Sequence, residues 1–150
     1  MNSYILKSQT FRVACEAPSA KYEPCTNPRS AVTVLRAIFA TLDESQEHFI
    51  ILALNSKGRV VGHKVLSSGS ATACLVSPEM FFRAALVLGG TSAIACHNHP
   101  SGDPGPSHED QTLTRRLQSS GDMLGLPLSD HLILGDPGYY SFRASEGWDR

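Results

Sequence analysis

Ser92-Ala93-Ile94-Ala95-Cys96-His97-Asn98-His99-Pro100-Ser101-Gly102-Asp103-Pro104-Gly105-Pro106-Ser107-His108-Glu109-Asp110 passes in one step from an apolar run to a polar loop dense in proline and glycine. Ser92–Cys96, apolar at its heart and bounded by turn residues, reads as a short central strand. The polar run that follows is not core material and reads as a metal site at the mouth of a buried strand. His97 and His99 are two residues apart, and alternate side chains of an extended backbone point to the same side. Both rings can therefore reach one ion, while Asn98 faces away or bonds to nearby backbone. A catalytic zinc needs three protein ligands and one open position. Asp110, one turn into the next helix, can return a carboxylate to the loop. Ser107-x-x-Asp110 is also a helix capping arrangement. The two readings are compatible, because Ser107 can cap the helix and still hold its hydroxyl near the ion. The prolines and glycines fix the loop path and reduce the entropy lost on ordering it.

His108 and Glu109 are rival ligands, but as the first helical residues after the cap they point to other faces than Asp110. Cys96 adjoins His97, and on a strand it points to the opposite side, which predicts a buried, inert thiol. Two histidines and a carboxylate with open coordination imply a water of lowered pKa. Such a site also needs a general base that is not a ligand, and Glu44, Glu47 and Glu79 are the candidates. Periodicity does not choose among them. Glu47, just before the apolar run Phe49–Leu54, is the best placed for burial at the sheet edge, and it also reads simply as a solvated acid in a polar connector.

Outward from this motif, Phe49–Leu54 and Arg59–Leu66 flank the turn Asn55-Ser56-Lys57-Gly58 and predict a hairpin. Ser30 to about Thr41 predicts an amphipathic helix with Val32, Leu35, Ile38 and Phe39 on its inner face. Thr72–Val76 is a further short strand by the same reading. Ser77-Pro78-Glu79 starts a helix that runs to about Leu88 and stops at Gly89-Gly90. The helix opened by Ser107 carries Leu113 and Leu117 inward and is expected to end at Gly121. Leu128–Leu134 and Tyr139–Phe142 are strands around the turn Gly135-Asp136-Pro137-Gly138. Residues 1–28, interrupted by prolines, read as an N-terminal arm with a strand around Ser3–Val13, and residues 29–150 as one domain. The fold class is α/β, with a mixed central sheet flanked by helices.

A length of 150 residues, 41% hydrophobic and 18% charged, describes one ordinary globular domain. The net charge of −1 offers no electrostatic footprint for nucleic acid or an anionic membrane, and Arg115-Arg116 is the one adjacent basic pair. No run approaches the roughly 20 apolar residues of a membrane span. Cys15, Cys25, Cys74 and Cys96 form no Cys-x-x-Cys pair, which argues against a structural zinc finger. Free thiols in a reducing cytoplasm are the expectation.

The order His97-x-His99, Ser107, Asp110, with a glutamate before an upstream strand, resembles the JAMM (MPN+) metalloprotease signature. More closely, His97-Asn98-His99-Pro100-Ser101-Gly102 with Pro106-Ser107 and Asp110 resembles the RadC family. The likeness continues through Thr114-Arg115-Arg116-Leu117, Asp130-His131-Leu132-Ile133 and Gly138-Tyr139-x-Ser141-Phe142, and covers roughly residues 28–145. It implies a JAB1/MPN-type fold with a curved sheet, related to the deaminase-like fold. It implies zinc held by His97, His99 and Asp110, Glu47 as the catalytic glutamate, and Ser107 as the serine that stabilises the oxyanion. The implied reaction is hydrolysis of a peptide or isopeptide-type amide in a peptide or protein substrate. Glu47 would take a proton from the attacking water and pass it to the leaving nitrogen. Asp130 and His131 belong to the matched pattern, either as support behind the ligands or as a strand-entry turn. Two departures stand out. Full-length RadC proteins carry an N-terminal helix-hairpin-helix region, for which residues 1–28 are too short, and His108 stands where arginine is common.

The RadC likeness also carries a second expectation, a DNA-repair role as a DNA- or protein-interaction module. The charge balance argues against nucleic acid, and the full set of ligand candidates argues against a non-catalytic module. The tripeptide His97-Asn98-His99 is not an HNH nuclease motif, which spreads its residues over a longer element. The zinc deaminases need a Cys-x-x-Cys that this chain lacks.

Overall fold

A computed structural model describes residues 24–69 and 75–148. Residues 1–23 of the N-terminal arm, with its expected strand, and Thr72–Cys74 of the short strand expected at Thr72–Val76 lie outside the described residues, whereas Asn27 and Pro28 at the end of the arm already cap and open the first helix. Leu75 and Val76 carry no strand, and Val76 is buried in the core instead.

Helix α1 spans Pro28–Phe39. It begins before Ser30 because Asn27 is the cap: its Oδ1 accepts from Ser30 N–H at 2.9 Å, and Pro28 occupies the first turn. Ser30 is the third helical residue of a reciprocal capping box rather than the cap itself. The inner face carries Val32, Leu35, Ile38 and Phe39 at helical spacing, with Ala31 and Val34 beside them.

Strands β1 (His48–Leu54) and β2 (Val60–Ser68) form the hairpin. Helix α2 (Pro78–Val87) follows, capped by Ser77. Strand β3 (Ser92–Asn98) enters the middle of the sheet, antiparallel to β1, and extends through His97 and Asn98 rather than stopping at Cys96. Helix α3 (His108–Leu124) carries the chain over to β4 (Leu128–Leu134), which is parallel to β3. Strand β5 (Tyr139–Ser141) closes the far edge, and the short helix α4 (Phe142–Glu146) follows. The order across the mixed sheet is β2-β1-β3-β4-β5.

Strand β1 is buried along its whole length because helices cover both faces. Alternation sends Ile50, Leu52, Ile94, Cys96 and Leu132 to the layer under α1. It sends Phe49, Ile51, Ala93 and Ala95 to the layer under α2 and α3. Cys96 is fully buried on the α1 side, as its parity with His97 predicts, and burial pushes its thiol well above the ordinary value.

Helix α3 does not end at Gly121. It continues one turn, to a left-handed cap at Gly125 with φ of 67°. Gly121 is there for packing: a Cβ would meet Leu126 O at 2.7 Å and Phe82 at 3.0 Å. The missing side chain lets α3 lie against the entry to β4. No helix among the described residues is long and apolar enough to cross a membrane.

Candidate metal centre

The last residues of β3 deliver His97 to the α3 side of the sheet, where its ring stacks on Phe49 at a centroid distance of 5.6 Å. The chain then turns. His99 N–H donates to Leu134 O at 2.9 Å, the last rung tying this segment to β4. Gly102, at φ of 87°, allows the loop to fold back. Its carbonyl accepts from Asp136 N–H, so the loop rests on the β4–β5 turn. That turn is held in its place by Arg36 of α1, which donates to the carbonyls of Gly135, Pro137 and Gly138.

The loop ends at the α3 cap. Ser107 Oγ accepts from Asp110 N–H at 3.1 Å, and Asp110 Oδ2 accepts from Ser107 N–H at 2.8 Å. This capping box aims the free side of the Asp110 carboxylate at the histidines. Asp110 Oδ1 is 3.2 Å from His97 Nε2, and Oδ2 is 3.6 Å from His99 Nε2. The two Nε2 atoms lie 3.1 Å apart. Capping and convergence on the site therefore coexist. His108 and Glu109 are exposed, as helix geometry predicts, whereas Asp110 is buried.

Hydrogen bonding orients both imidazoles. A carbonyl can only accept, so the 2.8 Å contact of His99 Nδ1 with Asp103 O places the proton on Nδ1. Thr114 Oγ1 spends its single hydrogen on Asp110 O at 2.6 Å. It must then accept from His131 Nδ1–H, also at 2.6 Å. His131 Nε2 is left as an acceptor for His97 Nδ1–H at 3.0 Å. Both His97 and His99 thus turn an Nε2 lone pair toward the same point.

Two lone pairs and a carboxylate facing one another repel unless a cation lies between them. Ligands about 2.0–2.1 Å from a tetrahedral zinc are separated by about 3.3 Å. The observed 3.1, 3.2 and 3.6 Å separations match that edge length. Glu47 belongs to the same cluster. Together with His97 and His99 it offers ligand atoms that all lie within 4.8 Å of one another. Its Oε1 stands 4.0 Å from His97 Nε2, longer than a tetrahedral edge. Of the two carboxylates, Asp110 has the closer fit to a ligand.

Burial by itself would raise the Asp110 carboxyl. Where protons rather than a cation occupy the two Nε2 positions, hydrogen bonds from His97 and His99, the charge of His97 and the Ser107 N–H outweigh burial and hold the group well below the carboxylate range. His99 is raised by its bond to Asp110, against the effect of burial. Burial drives His131 well below the ordinary value, with His97 adding to the effect, which keeps it neutral.

Of the other glutamates, Glu79 lies on the exposed surface of α2, paired with Arg83 one turn away. Glu44 lines a cleft of about 240 Å³ beside His99, with Arg36, Phe39, Asn98 and Asp136. Asp130 and His131 divide their roles. Asp130 accepts from the backbone N–H groups of His131 and Arg143 and from Ser141 Oγ, bracing the corner after β5. His131 touches His97 directly. Thr114 was not visible as part of this network from the sequence. Its position one helical turn beyond Asp110, on the same face, was the available signal.

The family profile of the RadC-like JAB domain matches residues 25–148. The chain belongs to the RadC family. Its RadC-like JAB domain is similar to the UPF0758 protein of Symbiobacterium thermophilum, 42% identical over 130 residues, covering 87% of this chain and 54% of the relative. It is also similar to the UPF0758 protein of Shouchella clausii, 47% identical over 98 residues, covering 65% and 43%. A third relative is the UPF0758 protein of Chlorobaculum parvum, 44% identical over 101 residues, covering 67% and 46%. This RadC-like chain spans about half the length of the curated relatives it matches.

Proposed function

We propose that this chain is a zinc-dependent hydrolase of peptide or isopeptide-type amide bonds. His97, His99 and Asp110 hold the metal, Glu47 is the general base and acid, and Ser107 is an oxyanion donor. The observation that carries the reading is the convergence of two Nε2 lone pairs and one carboxylate at tetrahedral-edge separations. When bound, zinc supplies Lewis acidity and a water of lowered pKa.

The chain's own residues supply the rest. Glu47, 19% exposed, stands close enough to the cluster to take a proton from the attacking water and to release it to the leaving nitrogen. Ser107 accepts Asp110 N–H with an oxygen lone pair, and its hydroxyl hydrogen is engaged by no other described residue. That hydrogen serves the developing oxyanion. Ser107 is exposed, so a substrate carbonyl can approach it.

Metal analysis coupled to a peptide-library cleavage screen tests the reading. About one zinc per chain is expected, lost in His97→Ala, His99→Ala and Asp110→Ala. Glu47→Gln should keep zinc and lose cleavage. Full zinc retention in all three ligand variants would refute the site, and unchanged turnover in Glu47→Gln would remove that residue from the mechanism.

A further inference from the structure

Asn98 stands between the two histidines in sequence but not in space. It is 8% exposed and points to the face opposite His97. Its carboxamide reaches across to the segment that carries Glu47. Oδ1 accepts from His48 N–H at 2.7 Å, and Nδ2 donates to Gln46 O at 2.9 Å. These are the backbone groups on either side of Glu47. The β1–β3 ladder has already ended at the Phe49–His97 pair. Asn98 thus extends the pairing by one rung with a side chain in place of backbone. On the other flank, Gly69 N–H donates to Glu47 O at 2.9 Å. Glu47 is two residues from Phe49, on the same side of an extended backbone, which directs its carboxylate to the His97 face.

We infer that Asn98 is a positioning residue: it clamps the 46–48 backbone so that the Glu47 carboxylate is held over the His97–His99 pair. A free carboxamide would have no reason to satisfy both groups of one peptide segment. A buried side chain with its donor and its acceptor both engaged is rigid, and that rigidity passes to the residue in between. The consequence for catalysis rests on the hydrolase reading above, whereas the clamp itself does not. General-base catalysis depends steeply on placement, and a displacement near 1 Å is worth on the order of 100-fold.

The test uses the full chain with Asn98→Leu, which keeps the branching at Cγ and removes both bonds, and Asn98→Asp, which keeps only the acceptor. Amide hydrogen exchange of the metal-free chain is measured by NMR. In Asn98→Leu, His48 N–H should exchange about tenfold or more faster, the loss of one buried hydrogen bond, while Ile51 N–H is unchanged. Asn98→Asp should restore His48 protection. In the zinc-loaded chain, Asn98→Leu should lower kcat about tenfold or more with KM and zinc content unchanged. Wild-type exchange at His48 in Asn98→Leu would overturn the clamp. Faster exchange with unchanged kcat would overturn the positioning role. A wild type that holds no zinc and cleaves nothing would refute the hydrolase reading instead, and the exchange measurement would still decide the clamp.

Discussion

His97 Nδ1 lies 3.0 Å from His131 Nε2, and both side chains are fully buried. The contact joins β3 to its parallel neighbour β4 through two imidazoles rather than through aliphatic packing. It is also the last link of a directional chain from Asp110 O through Thr114 and His131 to His97. Each proton in the chain has one acceptor, so the tautomer of His97 is set by a threonine that never approaches the metal position.

Thr114→Val tests that chain. The substitution keeps the shape and strands His131 Nδ1–H in a buried site. We expect zinc affinity to fall about 10- to 100-fold, the usual cost of removing a partner behind a ligand. Stability should drop by about 1–3 kcal/mol. Chelator competition and urea unfolding measure the two effects, and wild-type zinc affinity would show that His97 is oriented by something else.

His131 also predicts a pH dependence. Its folded pKa lies well below the ordinary value because of burial. The unfolded chain binds this proton below about pH 6.5 and the folded chain does not. The contribution of His131 is therefore present above the unfolded pKa and lost as pH falls, at up to about 1.4 kcal/mol per pH unit. His99, with a raised folded pKa, acts with the opposite sign: its contribution is present below the unfolded pKa and fades as pH rises through the folded one. Urea unfolding of the chelator-treated chain at pH 7, 6 and 5 should show wild type losing stability toward low pH relative to His131→Phe. The phenyl ring keeps the stacking on Phe142 and carries no proton. A stability difference independent of pH would contradict the assignment.

Gly135→Ala probes the support under the loop. A Cβ there would collide with Gly102 O and with Pro104 Cδ, the latter at 2.8 Å. The β4–β5 turn is pinned by Arg36, so the loop must give way. The loop includes Asp103, whose carbonyl orients His99. We expect zinc affinity to fall at least about tenfold, with a stability loss of about 1–3 kcal/mol from overpacking. Calorimetric zinc titration beside thermal unfolding separates the effects. Unchanged zinc binding would mean the loop tolerates the shift.

Much of the fold could be read from local pattern. Phe49–Leu54 and Ser92–Cys96 are largely apolar runs bounded by turn residues, Leu128–Leu134 ends in the apolar Leu132-Ile133-Leu134, and each is a central strand. The Asn55–Gly58 turn and the Ser77 and Ser107 caps are local chemistry and sit where they were expected. Gly121 shows the limit of such reading. A glycine near the end of an apolar pattern signals a helix stop, but here it answers a tertiary demand, the close approach of α3 to Leu126 and Leu128. Helix α1 starts at Pro28 rather than at Ser30 for a local reason instead: Asn27 forms a reciprocal cap with Ser30.

The site divides along the same line. His97, His99 and Asp110 lie on the end of β3, the loop after it and the helix that follows, so spacing alone brings them forward. Glu47 does not, because its place depends on the antiparallel register of β1 with β3, and only family likeness singled it out. His131 and Asn98 act across strands, through contacts that no window of sequence contains.

The strand order β2-β1-β3-β4-β5 bears on how the site comes into being as the chain emerges from a ribosome. The hairpin β1–β2 and strand β3 are made first and can pair as they appear. Yet β3 lacks its second neighbour until Leu134 has been synthesised, since β4 supplies both the parallel ladder and the His131 that orients His97. A nascent chain that already displays His97, His99 and Asp110 thus has the donor atoms without their alignment. On the proposed reading, the site is therefore aligned to take a metal only after β4 has joined the sheet.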